Sequence, residues 1–147
     1  MIEFTVYGQP EPAGSKRAFV NKHTGRASVS DANPRAKGWK SRVTDEAIAA
    51  TNGQPLLDGP LLVELLFVLP RPKGHFGKRG LLPSAPLFPT VRPDVLKLAR
   101  GVEDAMSGVV YRDDAQIVRE SLVKLYGELA RCEVRVTASV TALAVAA

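Results

Sequence analysis

Residues 2–8, IEFTVYG, alternate apolar and polar positions with β-branched and aromatic members, which predicts a strand with one buried face. A different period occupies 39–50, WKSRVTDEAIAA. There Trp39, Val43, Ala47 and Ala50 recur at helical spacing, and Asn52–Gly53 supplies a left-handed stop. GPLLVELLFVLP at 59–70 is apolar almost throughout and carries Pro60 and Pro70, the mark of a central strand. A second helix is predicted from about Pro93 to Met106. Proline suits its first turn, Asp94 its positive dipole end, and Ser107–Gly108 its termination. VVYRDD reads as a short strand or extended turn. QIVRESLVKLYG and ARCEVRVTAS both alternate around a turn holding Gly127 and Glu128, and so predict a terminal hairpin.

The segments between are polar or rich in turn residues. GQPEPAG is a turn, and about 10–38 reads as a basic, mobile arm or loop, with a hairpin around Lys22 to Arg26 as the alternative for part of it. The stretch 71–91, rich in Pro, Gly, Lys and Arg, reads as a long loop, of a kind that is functional or disordered. The tail, about 141–147, carries no readable signal. The order is that of an α/β (α+β) fold, a small mixed β-sheet packed with two main helices. With 147 residues the chain is expected to form one domain over 1–147.

On a helical wheel with Asp94 at zero, Val95, Leu98, Ala99, Val102, Ala105 and Met106 fall between about 20° and 140°, the stripe expected to be buried. Lys97, Arg100, Glu103 and Asp104 fall between about 180° and 300°, the polar face. Leu96, near 200°, is an apolar residue on that polar face.

Composition narrows the classes. A net charge of +5 suits a polyanionic partner. Cys132 is the single cysteine, which excludes an internal disulfide framework and a thiolate zinc site. The N-terminus lacks the basic and apolar regions of a signal peptide, and the apolar run at 61–70 falls far short of the ~20 residues of a membrane span. A cytoplasmic protein with no membrane contact is expected.

Acids at a helix start and on a following strand can converge on a divalent cation. Mg²⁺ takes hard oxygen ligands and is commonly held by one or two carboxylates plus substrate phosphate. On a basic protein that chemistry suits phosphodiester hydrolysis. The plain alternative is a helix-start acid at Asp94 and a simple turn at Arg112, Asp113 and Asp114. Lys16, Arg17, Lys22, Arg26, Arg35 and Lys37 in the first loop are candidate phosphate contacts, as are Arg71, Lys73, Lys78 and Arg79 in the second. Lys97 joins them from the second helix. Phe76 and Phe88 are candidates to wedge or stack at unpaired bases, although Phe88 packs more simply on the sheet. His23 and His75 read as basic surface, and Trp39 as core.

The segment RPDVLKLARGVEDAMSGVVYRDDAQIV, 92–118, resembles the signature of the RusA family of Holliday junction resolvases, endodeoxyribonucleases common in phages and prophages. "RPD", "KL", Arg100, "EDAM" and "YRDDAQIV" fall in the family's order and at its separation. The resemblance implies a RusA-like fold and Mg²⁺-dependent resolution of four-way junctions by paired nicks in DNA recombination and repair, with Mn²⁺ able to substitute. It also implies a homodimer acting on branched DNA in a bacterial host. By the same resemblance Asp94 and Asp114 are catalytic and metal-binding, with Asp113 beside them. Arg100 stands at the catalytic lysine, where it keeps the charge without serving as a proton donor. Leu96 stands at the family's second helix aspartate. Three consequences are open: a chain that binds branched DNA without cutting it, a displaced metal site using Glu103, or one Mg²⁺ held by Asp94, Asp113 and Asp114 alone. Glu103 lies ~10.5 Å along the axis from Leu96, so it would serve a displaced ion or simply pair with Arg100 or Lys97.

Overall fold

Leu61–Pro70 lies inside the sheet with both edges paired, as its apolar run and its length predict. The computed structural model describes residues 1–138, the side chain of Asp31 excepted. The main elements are β1 (Ile2–Tyr7), β2 (Lys16–Val20), β3 (Ala27–Asp31), α1 (Ala36–Thr51), β4 (Leu61–Pro70), β5 (Phe76–Gly77), β6 (Gly80–Leu81), α2 (Val95–Met106), β7 (Ile117–Gly127) and β8 (Arg131–Ala138). The principal sheet has the order β1-β8-β4-β7. β4 pairs antiparallel with β8 and parallel with β7, so the sheet is mixed. Both helices cover the face that carries Leu61, Val63, Leu65 and Phe67, and these residues are buried with Val134 and Val136 of β8. The fold is α+β, as the alternation and helical periods predict.

The expected terminal hairpin is not formed. β7 and β8 do not pair with each other, because β4 lies between them. Alternation identifies a strand without naming its partner, and β4 has two edges to satisfy. From Gly127 to Arg131 the chain steps over the end of β4, about 9.5 Å for two strand spacings. Three linking residues can span that distance.

α1 begins at Ala36, three residues before the periodic stretch, and buries Trp39, Val43 and Ala47. Asn52 ends it in the left-handed conformation and returns its N–H to the Ile48 carbonyl, as the Asn-Gly pair predicts. α2 begins at Val95 with Asp94 as its N-cap, and it buries Leu98, Ala99, Gly101, Val102, Ala105 and Met106. The two helices are tied by Lys40 Nζ to Asp104 Oδ2 at 3.0 Å and by the Thr44 hydroxyl to the Ala105 carbonyl at 3.1 Å.

The first basic segment, expected as a mobile arm or loop, is instead an antiparallel ribbon, β2 against β3, closed around residues 21–26, because its alternating residues pair across the turn. The second loop is also built. It contains a 3-10 turn at Lys73–His75 and the small β5–β6 ladder. Its return segment runs along the free edge of β7, with the Tyr126 N–H bonded to the Leu87 carbonyl and Lys124 Nζ to the carbonyls of Val91 and Pro93. That cover protects an edge that would otherwise pair with other chains. His75 departs from the basic-surface reading, because it is half-buried with its ring edge-on to Tyr126 at 4.9 Å. Phe88 is exposed and does not pack on the sheet. The tail at 141–147 lies outside the described residues.

Candidate active site

Two ends of α2 carry acids, and the structure equips them differently. At the N-terminal end, Asp94 occupies the cap position, yet its side chain makes no capping bond to the helix. Its carboxylate therefore remains available to the cleft it lines with the Gln9–Gly14 turn, Arg92 and Lys97. The turn is bound to the helix through the Ala13 N–H and the Lys97 carbonyl at 2.9 Å. Gly101 permits this approach, since a Cβ there would lie 3.4 Å from the Glu11 carbonyl oxygen. Lys97 and Arg100 are exposed. So is Leu96, at 68%, which puts a hydrocarbon in solvent where the resemblance expects a carboxylate.

The C-terminal end holds the denser charge. Glu103 is half-buried beside Glu120 of β7, with Asp114 and Asp104 near enough to act on it. Burial, the adjoining Glu120 carboxyl and the fields of Asp114 and Asp104 push Glu103 up to about 7. Glu103 Oε1 is buried and has no hydrogen-bond partner among the described residues. A contact between two carboxyls becomes a hydrogen bond only when one holds a proton, which is what the raised value expresses.

Asp114 is presented by a turn fastened on both sides. The buried Tyr111 donates its hydroxyl to the Glu103 carbonyl at 3.0 Å, and that carbonyl also accepts from the Ser107 N–H. Gln116 Oε1 accepts from the N–H groups of Arg112 and Asp113, and its Nε2 donates to the carbonyls of Leu57 and Gly59 at the entry to β4. Asp113 Oδ1 accepts from the Ala115 N–H at 2.8 Å and completes a capping box with Gln116. The two aspartates therefore divide their work. The Ala115 N–H holds the Asp113 carboxyl below its usual range, whereas contact with Asp113 raises that of its neighbour Asp114.

Of the residues singled out in the sequence, Glu103, Asp113 and Asp114 gather at this end. Asp94 lies nine residues before Glu103, about 13.5 Å along the helix axis. Among the described residues no three acidic, histidine or cysteine side chains converge closely enough to cage a metal ion. A two-carboxylate arrangement with an orphaned, buried oxygen nevertheless fits a cation such as Mg²⁺, which keeps much of its water and substrate shell. Glu120, Tyr111 and Gln116 were not anticipated. Glu120 had a signal, because it shares its strand alternation with Leu122 and Tyr126 and so is an acid in an apolar-face position. Gln116 had one too, the Asp-x-x-Gln capping pattern.

Among the expected DNA contacts, Lys16, Arg17, Lys73, Lys78 and Arg79 are exposed. Arg71 is half-buried and already engaged. It donates to the Pro86 carbonyl at 2.8 Å and stacks 5.6 Å from the Tyr126 ring centre, fastening the loop to the sheet.

The Glu103 environment makes stability pH-dependent. Its folded value of about 7 stands above the ordinary 4.5, so its contribution is complete below pH 4.5 and is lost as pH rises through about 7. Glu103→Gln is expected to match wild type in urea unfolding at pH 4.5. In chelator at pH 8 it should gain about 1–2 kcal/mol, allowing for screening at a half-exposed position. A difference that does not vary with pH would show that Glu103 titrates normally.

A four-stranded mixed sheet with two helices on one face and acids at both ends of one helix defines a small α+β domain with acidic and basic groups on its site face. Known sequences place it further. The chain belongs to the RusA family of endodeoxyribonucleases, whose family model, described as Endodeoxyribonuclease RusA, matches residues 9–137. It is also 31% identical over 140 residues to the uncharacterized protein YqaN of Bacillus subtilis (strain 168), covering 92% of this chain and 94% of that protein. Among the described residues no helix is long and apolar enough to cross a membrane.

Proposed function

We propose that this chain resolves four-way DNA junctions by paired, Mg²⁺-dependent nicks in DNA recombination and repair. It would act as a homodimer in the cytoplasm of a bacterial host, with phage or prophage origin. The observation that carries the reading is the presentation of Asp114, an exposed carboxylate on a turn locked by Tyr111 and Gln116 within a chain that matches the RusA family from 9 to 137. Asp94 and Asp114 are the candidate catalytic and metal carboxylates, one at each end of α2 and so not ligands of one shared ion within a single chain. Asp113 adds charge while capping the turn, and Glu103 with Glu120 offers a displaced locus in place of Leu96. When bound, Mg²⁺ or Mn²⁺ would supply polarisation of the scissile phosphate and an activated water. Arg100 and Lys97 lie on the solvent face of α2, where they would offset charge developing on the phosphate. Paired nicks on symmetry-related strands require two such sites, hence an isologous dimer.

Leu96 favours one second reading, a branched-DNA-binding protein without cleavage. The test is incubation of an end-labelled four-way junction and a matched linear duplex, each with Mg²⁺ and with chelator. Symmetric nicks confined to the junction and the metal are expected. Tight junction binding without nicks, with cleavage gained by Leu96→Asp, would establish the second reading in place of the first.

A further inference from the structure

The β2–β3 ribbon is a surface without a partner: every residue from 16 to 30 is exposed, including Phe19 at 49%. Its register gives it two faces of different chemistry. The pairs Ala18–Val29 and Val20–Ala27 share one face, whereas Arg17–Ser30 and Phe19–Ser28 share the other. Lys16, Arg17, Lys22 and Arg26 stand in this segment against the single acid Asp31, which is much of the chain's positive excess in one projection. The tip is closed by backbone bonds from Asn21 to Arg26 and from Gly25 to Asn21.

The ribbon also springs from the wall of the Asp94 cleft. Its base is joined by the Ala32 N–H to the Ser15 carbonyl and by Asn33 Nδ2 to Glu11 Oε2 and the Pro12 carbonyl. The turn that supplies Glu11 and Pro12 is the one bonded to α2 through Ala13 and Lys97, and it lines the cleft with Asp94. The base of the ribbon therefore adjoins the Asp94 cleft, and a duplex gripped at Arg17 and Phe19 lies on the Asp94 side of the site.

We propose that this ribbon enters the major groove of the duplex arm adjoining the bond to be cut. Arg17 and Phe19 face the base edges, and Lys22 and Arg26 meet the flanking phosphates. Two strands about 5 Å apart fit a groove about 12 Å wide, and an arginine with an apolar neighbour is the side-chain pair that groove accommodates. A second copy of the chain is a poorer occupant. The opposite face offers Ala18, Val20, Ala27 and Val29 with the Lys16–Asp31 pair at its base, a small patch beside the ~800 Å² per partner of a stable interface, and association would bring like charges together.

The proposal rests on the DNA-cleaving reading above and is tested with the full chain. Affinity for a four-way junction is measured between 50 and 200 mM salt, values on the order of those used to resolve counterion release. Arg17→Ala/Phe19→Ala is expected to weaken binding by about 10- to 100-fold. It should leave the slope of log affinity on log salt nearly unchanged, whereas Arg26→Ala, which removes a phosphate contact, should lower it by about one. Val20→Ser/Val29→Ser should stay within about threefold, because that face makes no base contact. Guanine N7 methylation in the arm beside the cut should interfere with wild type and not with the Arg17/Phe19 variant. Wild type that binds no DNA would overturn the nuclease reading itself. Wild type that binds while the Arg17/Phe19 and Arg26 variants match it would overturn the ribbon proposal alone. So would a Val20/Val29 variant that dissociates a dimer in sedimentation.

Discussion

Asp114→Asn is expected to lower the single-turnover rate of junction cleavage in Mg²⁺ by about 100- to 1000-fold, the loss typical of removing one preorganised charge contact to a transition state. The substitution keeps the side-chain shape and removes the negative charge, so the turn built by Tyr111 and Gln116 should persist. Affinity for the junction should hold or rise, since a charge repelling phosphate has gone. Asp113→Asn supplies the contrast. Asparagine caps a helix start about as well as aspartate, and the Asp113 oxygen that accepts from Ala115 is a capping group, so this variant should stay within about tenfold of wild type. If Asp114→Asn stays within tenfold while Glu103→Gln or Glu120→Gln collapses the rate, the working carboxylates lie at the Glu103–Glu120 pair.

The difference between the two aspartates marks the limit of what the sequence could tell. The doublet at 113 and 114 was visible as a candidate acid site. Which carboxylate is committed to the backbone depends on where the Ala115 N–H points, a matter of turn geometry. Buried stripes were legible because a helix period and a packed face are the same fact: the wheel for α2 predicts Leu98, Ala99, Val102, Ala105 and Met106, with Val95 half-buried as the first residue of the helix. The polar side of that wheel was less legible. Glu103 sits among exposed residues by angle but is half-buried because β7 runs beside the helix and brings Glu120 against it. Alternation alone predicts a hairpin of β7 with β8, whereas β7 pairs with β4, and it is that pairing which sets Glu120 against α2. Non-local strand pairing is what a local pattern cannot carry, and here it determines both the sheet order and the electrostatics of the site.

Tyr111 joins stability to that site, and Tyr111→Ala should cost about 3–5 kcal/mol in urea unfolding, the range for truncating a large buried aromatic. Tyr111 is fully buried, packed in the core that unites both helices with the sheet. Its backbone bridges to Leu57 and Ser107, and its carbonyl receives the Gly108 N–H at 2.7 Å. The ring therefore fixes the end of α2 to the segment that delivers Asp113 and Asp114. Tyr111→Phe separates packing from hydrogen bonding. The Glu103 carbonyl keeps the Ser107 N–H and hydroxyl as donors, so only about 0.5–1.5 kcal/mol should be lost and cleavage should remain near wild type. In the alanine variant the turn loses its anchor, and cleavage measured under conditions where the protein is still folded should fall with the loss of Asp114 positioning. A cost below 2 kcal/mol for Tyr111→Ala would mean that the turn is held chiefly by Gln116, whose four backbone contacts would then carry the placement of Asp114.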